Sequence, residues 1–213
     1  MHLIHRGIVS KKYKENLLKS FDKSFKKGFG VETDIQVTKD NEFICFHDFT
    51  LKRIFKKKYS IKNLEYKKIK KISRNFQKPI PLLKELLKIS KSRFFLLIEI
   101  KPILSKKLLK KLLFETSAYS KIAFISFKHE NIYNILKINK KIKVGLSFSA
   151  SSNIKSIIQK SKNKNIDCLV LDKFYINNKK IRKIKIKKYY YTIKNNSEFQ
   201  KLKKDNNLIF ENL

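Results

Sequence analysis

Apolar runs of strand length recur eight times along this chain, at residues 2–5, 30–37, 94–100, 122–127, 143–148, 167–171, 189–193 and 207–210. Between them, apolar residues return at helical spacing: Leu17, Phe21 and Phe25; Leu83, Leu86 and Leu87; Leu108, Leu109 and Leu112; Ile154, Ile157 and Ile158. Strand followed by helix along a whole chain places the strands parallel and buries both their faces, so the expected class is α/β. Eight such units in 213 residues sit at the lower end for a closed (β/α)8 TIM barrel.

Two features depart from a plain repeat. A short extra strand, 43–46, follows the second through a turn at Lys39-Asp40-Asn41, and residues 52–78 read as a small lysine-rich insertion with a weak helical signal at 64–72. There is no internal repeat and no Pro/Gly/Ser linker, so a single domain over 1–213 is expected. The sequence stops three residues after Phe210, which reads as a truncated C-terminus without an eighth helix.

Charge narrows the partners. The formal net charge is +35, which would ordinarily suggest nucleic acid or an anionic membrane. Only five of the 52 basic residues are arginine, however, whereas bidentate reading of phosphate and guanine favours arginine. From Gly30 to Thr50 the balance reverses, with five acids (Glu32, Asp34, Asp40, Glu42, Asp48) and one base, Lys39. A locally acidic segment suits a cation, and no nucleic-acid partner is expected; peripheral contact with an anionic membrane stays open.

Cys45 and Cys168 are too few for a disulfide framework and have no C-x-x-C spacing, which fits a reducing compartment. No apolar run approaches the roughly 20 residues of a membrane span, and a leader is not evident where the first strand already carries His5. Cytoplasmic location is therefore the expectation.

The residues able to do chemistry lie at strand ends. Alternate residues of a strand share a face, so Glu32 and Asp34 point the same way, into the barrel if Val31 and Ile35 pack on helices; Glu99 and Lys101 pair likewise. Three converging carboxylates repel unless a divalent cation neutralises them, and an all-oxygen set suits Mg²⁺ or Ca²⁺. His5 and His47 stand where barrel enzymes carry catalytic groups, and two imidazoles of opposite protonation can take one proton and give another. With Arg6 and Lys101 as phosphate ligands, these parts suit phosphodiester cleavage.

In order along the chain, His5-Arg6-Gly7, Glu15-Asn16, Glu32-Thr33-Asp34, Thr38-Lys39-Asp40, His47-Asp48 with Thr50-Leu51 and Arg53, Ile80-Pro81 before Leu86-Leu87, and Glu99-Ile100-Lys101 resemble the glycerophosphodiester phosphodiesterase family. A weaker likeness continues through Ser126-Phe127, Asp172 and Tyr191-Thr192. The resemblance implies a TIM-barrel hydrolase of lipid and glycerol metabolism that releases sn-glycerol 3-phosphate and an alcohol. It implies His5 and His47 as general acid and base, Glu32, Asp34 and Glu99 on a divalent cation, and Arg6 and Lys101 on the phosphate, with Tyr191 and Glu15 as candidate pocket residues.

Departures from the family pattern cluster late. Lys14 stands where the family often has Pro, Tyr191-Thr192-Ile193-Lys194 replaces Trp-Thr-Val-Asn, and Phe210-Glu211 replaces Thr-Asp, so the last third reads as eroded. Tyr191 still offers glycerol an aromatic wall, while Tyr189 and Tyr190 read as packing groups. Cys45 shares a face with His47 but lacks a partner and reads as a buried thiol; His2 and His129 read as surface residues. Two rival readings are a lysophospholipase D-like enzyme acting on lysolipids and a non-catalytic barrel binding nucleic acid or membrane, the latter disfavoured by the intact acid–histidine set.

Overall fold

The computed structural model of the chain describes residues 1–10 and 14–211. Its strands are β1 (Leu3–His5), β2 (Gly30–Val37), β3 (Phe43–Cys45), β4 (Leu96–Ile100), β5 (Ile122–Ser126), β6 (Val144–Phe148), β7 (Cys168–Asp172), β8 (Lys187–Ile193) and β9 (Asn207–Phe210). All but β3 are parallel and follow one another around the ring in chain order, and β1 pairs with both β2 and β9, closing an eight-stranded barrel. The expected TIM-barrel class is therefore what the chain adopts, with strand ends within two residues of those read from the sequence.

The extra strand has a structural reason. β1 pairs with β2 only from Gly30 to Glu32, and the antiparallel β3 pairs with β2 from Ile35 to Val37, beyond the point where β1 ends. Around the ring lie α1 (Leu18–Lys26), α4 (Leu83–Ser90), α5 (Lys106–Thr116), α6 (His129–Ile138), α7 (Ile154–Ser161), α8 (Lys179–Arg182) and α9 (Asn196–Leu202). Several start on side chains that satisfy a free backbone N–H: Ser105 accepts from Leu108, Asn153 from Lys155 and Asn195 from Glu198.

Strand periodicity separates two cores. Outward residues such as Val31, Ile98, Phe124 and Leu169 pack under the helices, whereas Leu3, Leu97, Ala123, Ile125, Cys168, Val170, Tyr189 and Ile209 fill the barrel. The lysine-rich segment after β3 holds α2 (Lys52–Phe55), a 3-10 turn (Ile61–Asn63) and α3 (Tyr66–Asn75), which covers the weak helical signal. It has an apolar cluster of its own, in which Leu51, Phe55, Ile61 and Ile69 pack with Ile44 of β3 and Ile80. Among the described residues no helix is long and apolar enough to cross a membrane.

Candidate active site

Continuing the inward rows of the barrel by one step towards the C-terminal ends of the strands changes their chemistry. Leu3 is followed by His5, Leu97 by Glu99, Ile125 by Phe127, Tyr189 by Tyr191 and Ile209 by Glu211, while β2 places Glu32 and Asp34 inward. Polar groups thus gather where the apolar filling stops, at the mouth.

One carboxylate oxygen from each of Glu32, Asp34 and Glu99 lies within 4.8 Å of the others, and all three side chains are buried. Glu32 Oε2 and Asp34 Oδ1 are buried without a hydrogen-bond donor. Burial, with Asp34 and Glu99 adding repulsion, raises the carboxyl of Glu32 well above its ordinary value, and burial beside Asp34 pushes Glu99 up to about 7. Burial pushes Asp34 the same way, but Arg6 and Lys101 outweigh it and hold Asp34 below the usual range. Unpaired acceptors among mutually repelling carboxylates are what a bound cation would relieve, and hard oxygen donors match Mg²⁺ or Ca²⁺.

Arg6 and Lys101 flank this cluster. Arg6 and Gly7 both take left-handed backbone conformations, φ 56° and 77°, and a Cβ on Gly7 would meet the carbonyl carbon of Ser20 at 2.9 Å. That turn lays the guanidinium across the mouth, its Nε 2.9 Å from Asp34 Oδ2 but out of line for a hydrogen bond. Lys101 Nζ lies 2.7 Å from Glu99 Oε1, 3.6 Å from Asp34 Oδ1 and over the Phe127 ring.

Each histidine has its own carboxylate. His5 Nδ1 lies 3.3 Å from Glu211 Oε2, and its Nε2 lies 3.8 Å from Glu32 Oε2. His47 Nδ1 lies 2.7 Å from Asp48 Oδ1; Arg53 donates to Asp48 from Nε at 2.6 Å and to Glu15 from Nη1 at 3.1 Å. Burial, reinforced by Arg6 and Lys101, lowers the pKa of His47 despite the nearby Asp34 and Asp48.

These groups share a pocket of about 180 Å³, lined by His5, Arg6, Glu32, His47, Glu99 and Lys101 on the polar side and by Ile125, Phe127, Val170 and Tyr191 on the apolar side. Tyr191 is held by a 3.0 Å hydrogen bond to the Phe148 carbonyl and by edge-on contact with Phe127. The pocket can admit a phosphate with a small polyol, between two imidazoles, two cations and an aromatic wall.

Glu15 is not a pocket residue. It bridges Arg6 and Arg53 outside the cavity, and it is the adjacent Asn16 that reaches the site, donating to Asp34 Oδ2 at 3.3 Å while accepting from Thr33. His2 and His129 are not simple surface residues either. His2 is half-buried edge-on to Phe199, and His129 is half-buried against Phe148, its Nε2 2.9 Å from the Ser147 carbonyl oxygen. Cys45 is fully buried and burial pushes its thiol up to about 12, so it offers no thiolate. Asn16, Asp48 and Arg53 stand in the family motifs without an assigned role, and Glu211 reads there only as a departure from Thr-Asp; the structure brings all four to the site, and the two-residue period running through Ile209 is the available signal for Glu211.

The chain matches the model of the glycerophosphoryl diester phosphodiesterase family over residues 5–207. It is 29% identical over 161 residues to a glycerophosphodiester phosphodiesterase of Caldanaerobacter subterraneus subsp. tengcongensis, covering 68% of this chain and 65% of that protein. A glycerophosphodiester phosphodiesterase of Bacillus altitudinis is 34% identical over 107 residues, 46% of this chain and 43% of the relative. The matched length is thus under two thirds of either relative. In fold, the chain is similar to a glycerophosphodiester phosphodiesterase of Thermotoga maritima, with TM-score 0.82 and 23% identity over 98% of this chain and 92% of that one. A phosphodiesterase of Oleispira antarctica, solved with its product sn-glycerol-3-phosphate, gives TM-score 0.84 at 21% identity, over 98% and 91% of the two chains.

Proposed function

The chain belongs to the glycerophosphoryl diester phosphodiesterase family, and from that premise we propose that it hydrolyses glycerophosphodiesters to sn-glycerol 3-phosphate and an alcohol in a reaction that requires a divalent cation. The observation that carries this reading is the convergence, in one small pocket, of a buried three-carboxylate cluster with orphaned oxygens and two histidines each oriented by its own carboxylate.

In this proposal Glu32, Asp34 and Glu99 would hold Mg²⁺ or Ca²⁺, which when bound supplies positive charge against the negative charge that builds on the phosphate in the transition state. Arg6 and Lys101, already turned towards these carboxylates, move part of their charge to the non-bridging phosphate oxygens. His47, whose pKa burial lowers, is neutral at neutral pH and takes the proton from the attacking oxygen, either water or a neighbouring glycerol hydroxyl. His5, beside Glu32 in the same pocket, delivers a proton to the departing alkoxide as the P–O bond breaks. Tyr191 and Phe127 shield the glycerol from bulk water.

The test is release of glycerol 3-phosphate from glycerophosphocholine and glycerophosphoethanolamine by the purified chain and by two variants. His5→Ala and His47→Ala are each expected to lose about 10²- to 10⁴-fold in kcat, the usual range for a general acid or base. Either variant turning over like the parent overturns the assignment.

A further inference from the structure

Among the described residues eight large apolar side chains are exposed, and four of them stand around the barrel mouth, Phe49, Ile103 and Phe127 on loops and Phe174 in a 3-10 turn. Ile103, Phe127 and Phe174 follow the C-terminal ends of β4, β5 and β7, and Phe49 lies across a groove from Ile103. Their exposures are 54% for Phe49, 57% for Ile103, 39% for Phe127 and 70% for Phe174, too high for residues serving the core. Apolar groups scattered singly need no explanation, but a rim of them around one opening does.

The groove between Phe49 and Ile103 is about 670 Å³, larger than the reaction pocket, and Lys101 lines both, so the two cavities open on the same face. Its rim carries Lys39, Lys62 and Lys128, and no Asp or Glu lines it. The groove rim therefore combines the ammonium groups of Lys39, Lys62 and Lys128 with protruding aromatic and aliphatic side chains. An anionic lipid surface meets both requirements: lysines approach the head groups while phenylalanine and isoleucine enter the boundary with the acyl chains. A nucleic acid would use the lysines but leave Ile103 and the groove floor of Val37, Leu104 and Leu108 without a partner.

We propose that the barrel mouth docks on anionic lipid membranes through Phe49, Ile103 and Phe174, with Lys39, Lys62 and Lys128 at the head groups. This stands apart from the hydrolysis reading, since docking requires no turnover and turnover of soluble diesters requires no docking.

The chain contains no tryptophan, so single substitutions make clean reporters. Phe49→Trp and Phe174→Trp test the mouth; Phe114→Trp is the control, at a residue 81% exposed on the outer helix α5. With vesicles of phosphatidylcholine mixed with phosphatidylglycerol, at physiological ionic strength, the protein is expected to co-sediment. The two mouth reporters are expected to shift to the blue, the control to stay unchanged, and vesicles of phosphatidylcholine alone to cause neither effect.

A variant combining Phe49→Ser, Ile103→Ser and Phe174→Ser is expected to bind these vesicles roughly tenfold or more weakly, with hydrolysis of a water-soluble diester unchanged. The proposal is overturned if the protein fails to sediment with anionic vesicles. It is equally overturned if the protein sediments while the mouth reporters stay silent, because net charge alone is then acting, or if an unstructured RNA is bound more tightly than the vesicles.

Discussion

Glu211 owes its place beside His5 to strand register. β1 and β9 align Ile4 with Phe210, so the next residue of each strand falls side by side, and the Glu211 N–H is tied to the Ile193 carbonyl at 2.9 Å. Its hydrogen bond with His5, acting against burial, holds the carboxyl below its ordinary value. Glu211→Ala is expected to lower kcat by about tenfold to hundredfold, the usual effect of removing a group that orients an active-site ligand, with Glu211→Asp intermediate. Steady-state kinetics that find kcat unchanged in Glu211→Ala remove the orienting role. At Asp48, burial raises the carboxyl, but the hydrogen bonds from Arg53 and His47 outweigh it and leave it below its ordinary value. The clamp therefore stabilises the fold above the roughly 3.9 of an unfolded aspartate and ceases to do so as pH falls through the lower folded value. Because Arg53 is half exposed, wild type and Asp48→Asn are expected to differ by only about 0.5–1 kcal/mol in urea denaturation at neutral pH. A gap that does not close in acid contradicts this. Gly7→Ala, with its left-handed φ and the contact with Ser20, is expected to cost about 1–3 kcal/mol in the same measurement; a neutral result would mean that the turn carrying Arg6 relaxes freely.

At the level of elements, strands were the most legible feature. A barrel strand is buried on both faces and reads as an unbroken apolar run, and the charges interrupting β2 and β4 stand out because nothing in packing asks for them. The insertion was legible as lysine content and a weak helical signal, but not as a packed unit. Phe55 and Ile61 pack with Ile44, Ile80 and Leu82 from outside the segment, and such non-local contacts leave no period in the sequence. The loop after β4 is a similar case: Asn131 of α6 is fully buried, accepts from Leu104 N at 2.9 Å and donates to the Pro102 carbonyl at 2.8 Å. Asn131→Leu would leave both backbone groups unmet, at about 1–3 kcal/mol each, and would loosen the segment that follows Lys101. Lower stability together with a raised KM is expected; a variant matching the parent in both shows that the loop holds itself.

For the molecule as a whole, the ring closes through two residue pairs, Leu3 with Ile209 and Ile4 with Phe210, and the site straddles that seam, with His5 on one side and Glu211 on the other. The family pattern pointed to the three carboxylates and two histidines that converge at the mouth because each sits in a local motif. It made Glu211 look like a loss, because its partner lies at the opposite end of the sequence and only the closed barrel brings the two together. Net charge was a poor guide in the same way: a chain of +35 buries three carboxylates at its mouth. That cluster is central because its buried charges repel one another, and a bound cation would relieve that repulsion in the proposed reaction. The most direct test follows glycerol 3-phosphate release after chelation and after Mg²⁺ or Ca²⁺ is restored, in wild type and Glu99→Ala. Turnover that chelation abolishes, and that one of the cations restores in wild type but not in the variant, is expected; turnover that survives chelation, or a Glu99→Ala enzyme restored as fully as the parent, rules out a cation held by these carboxylates.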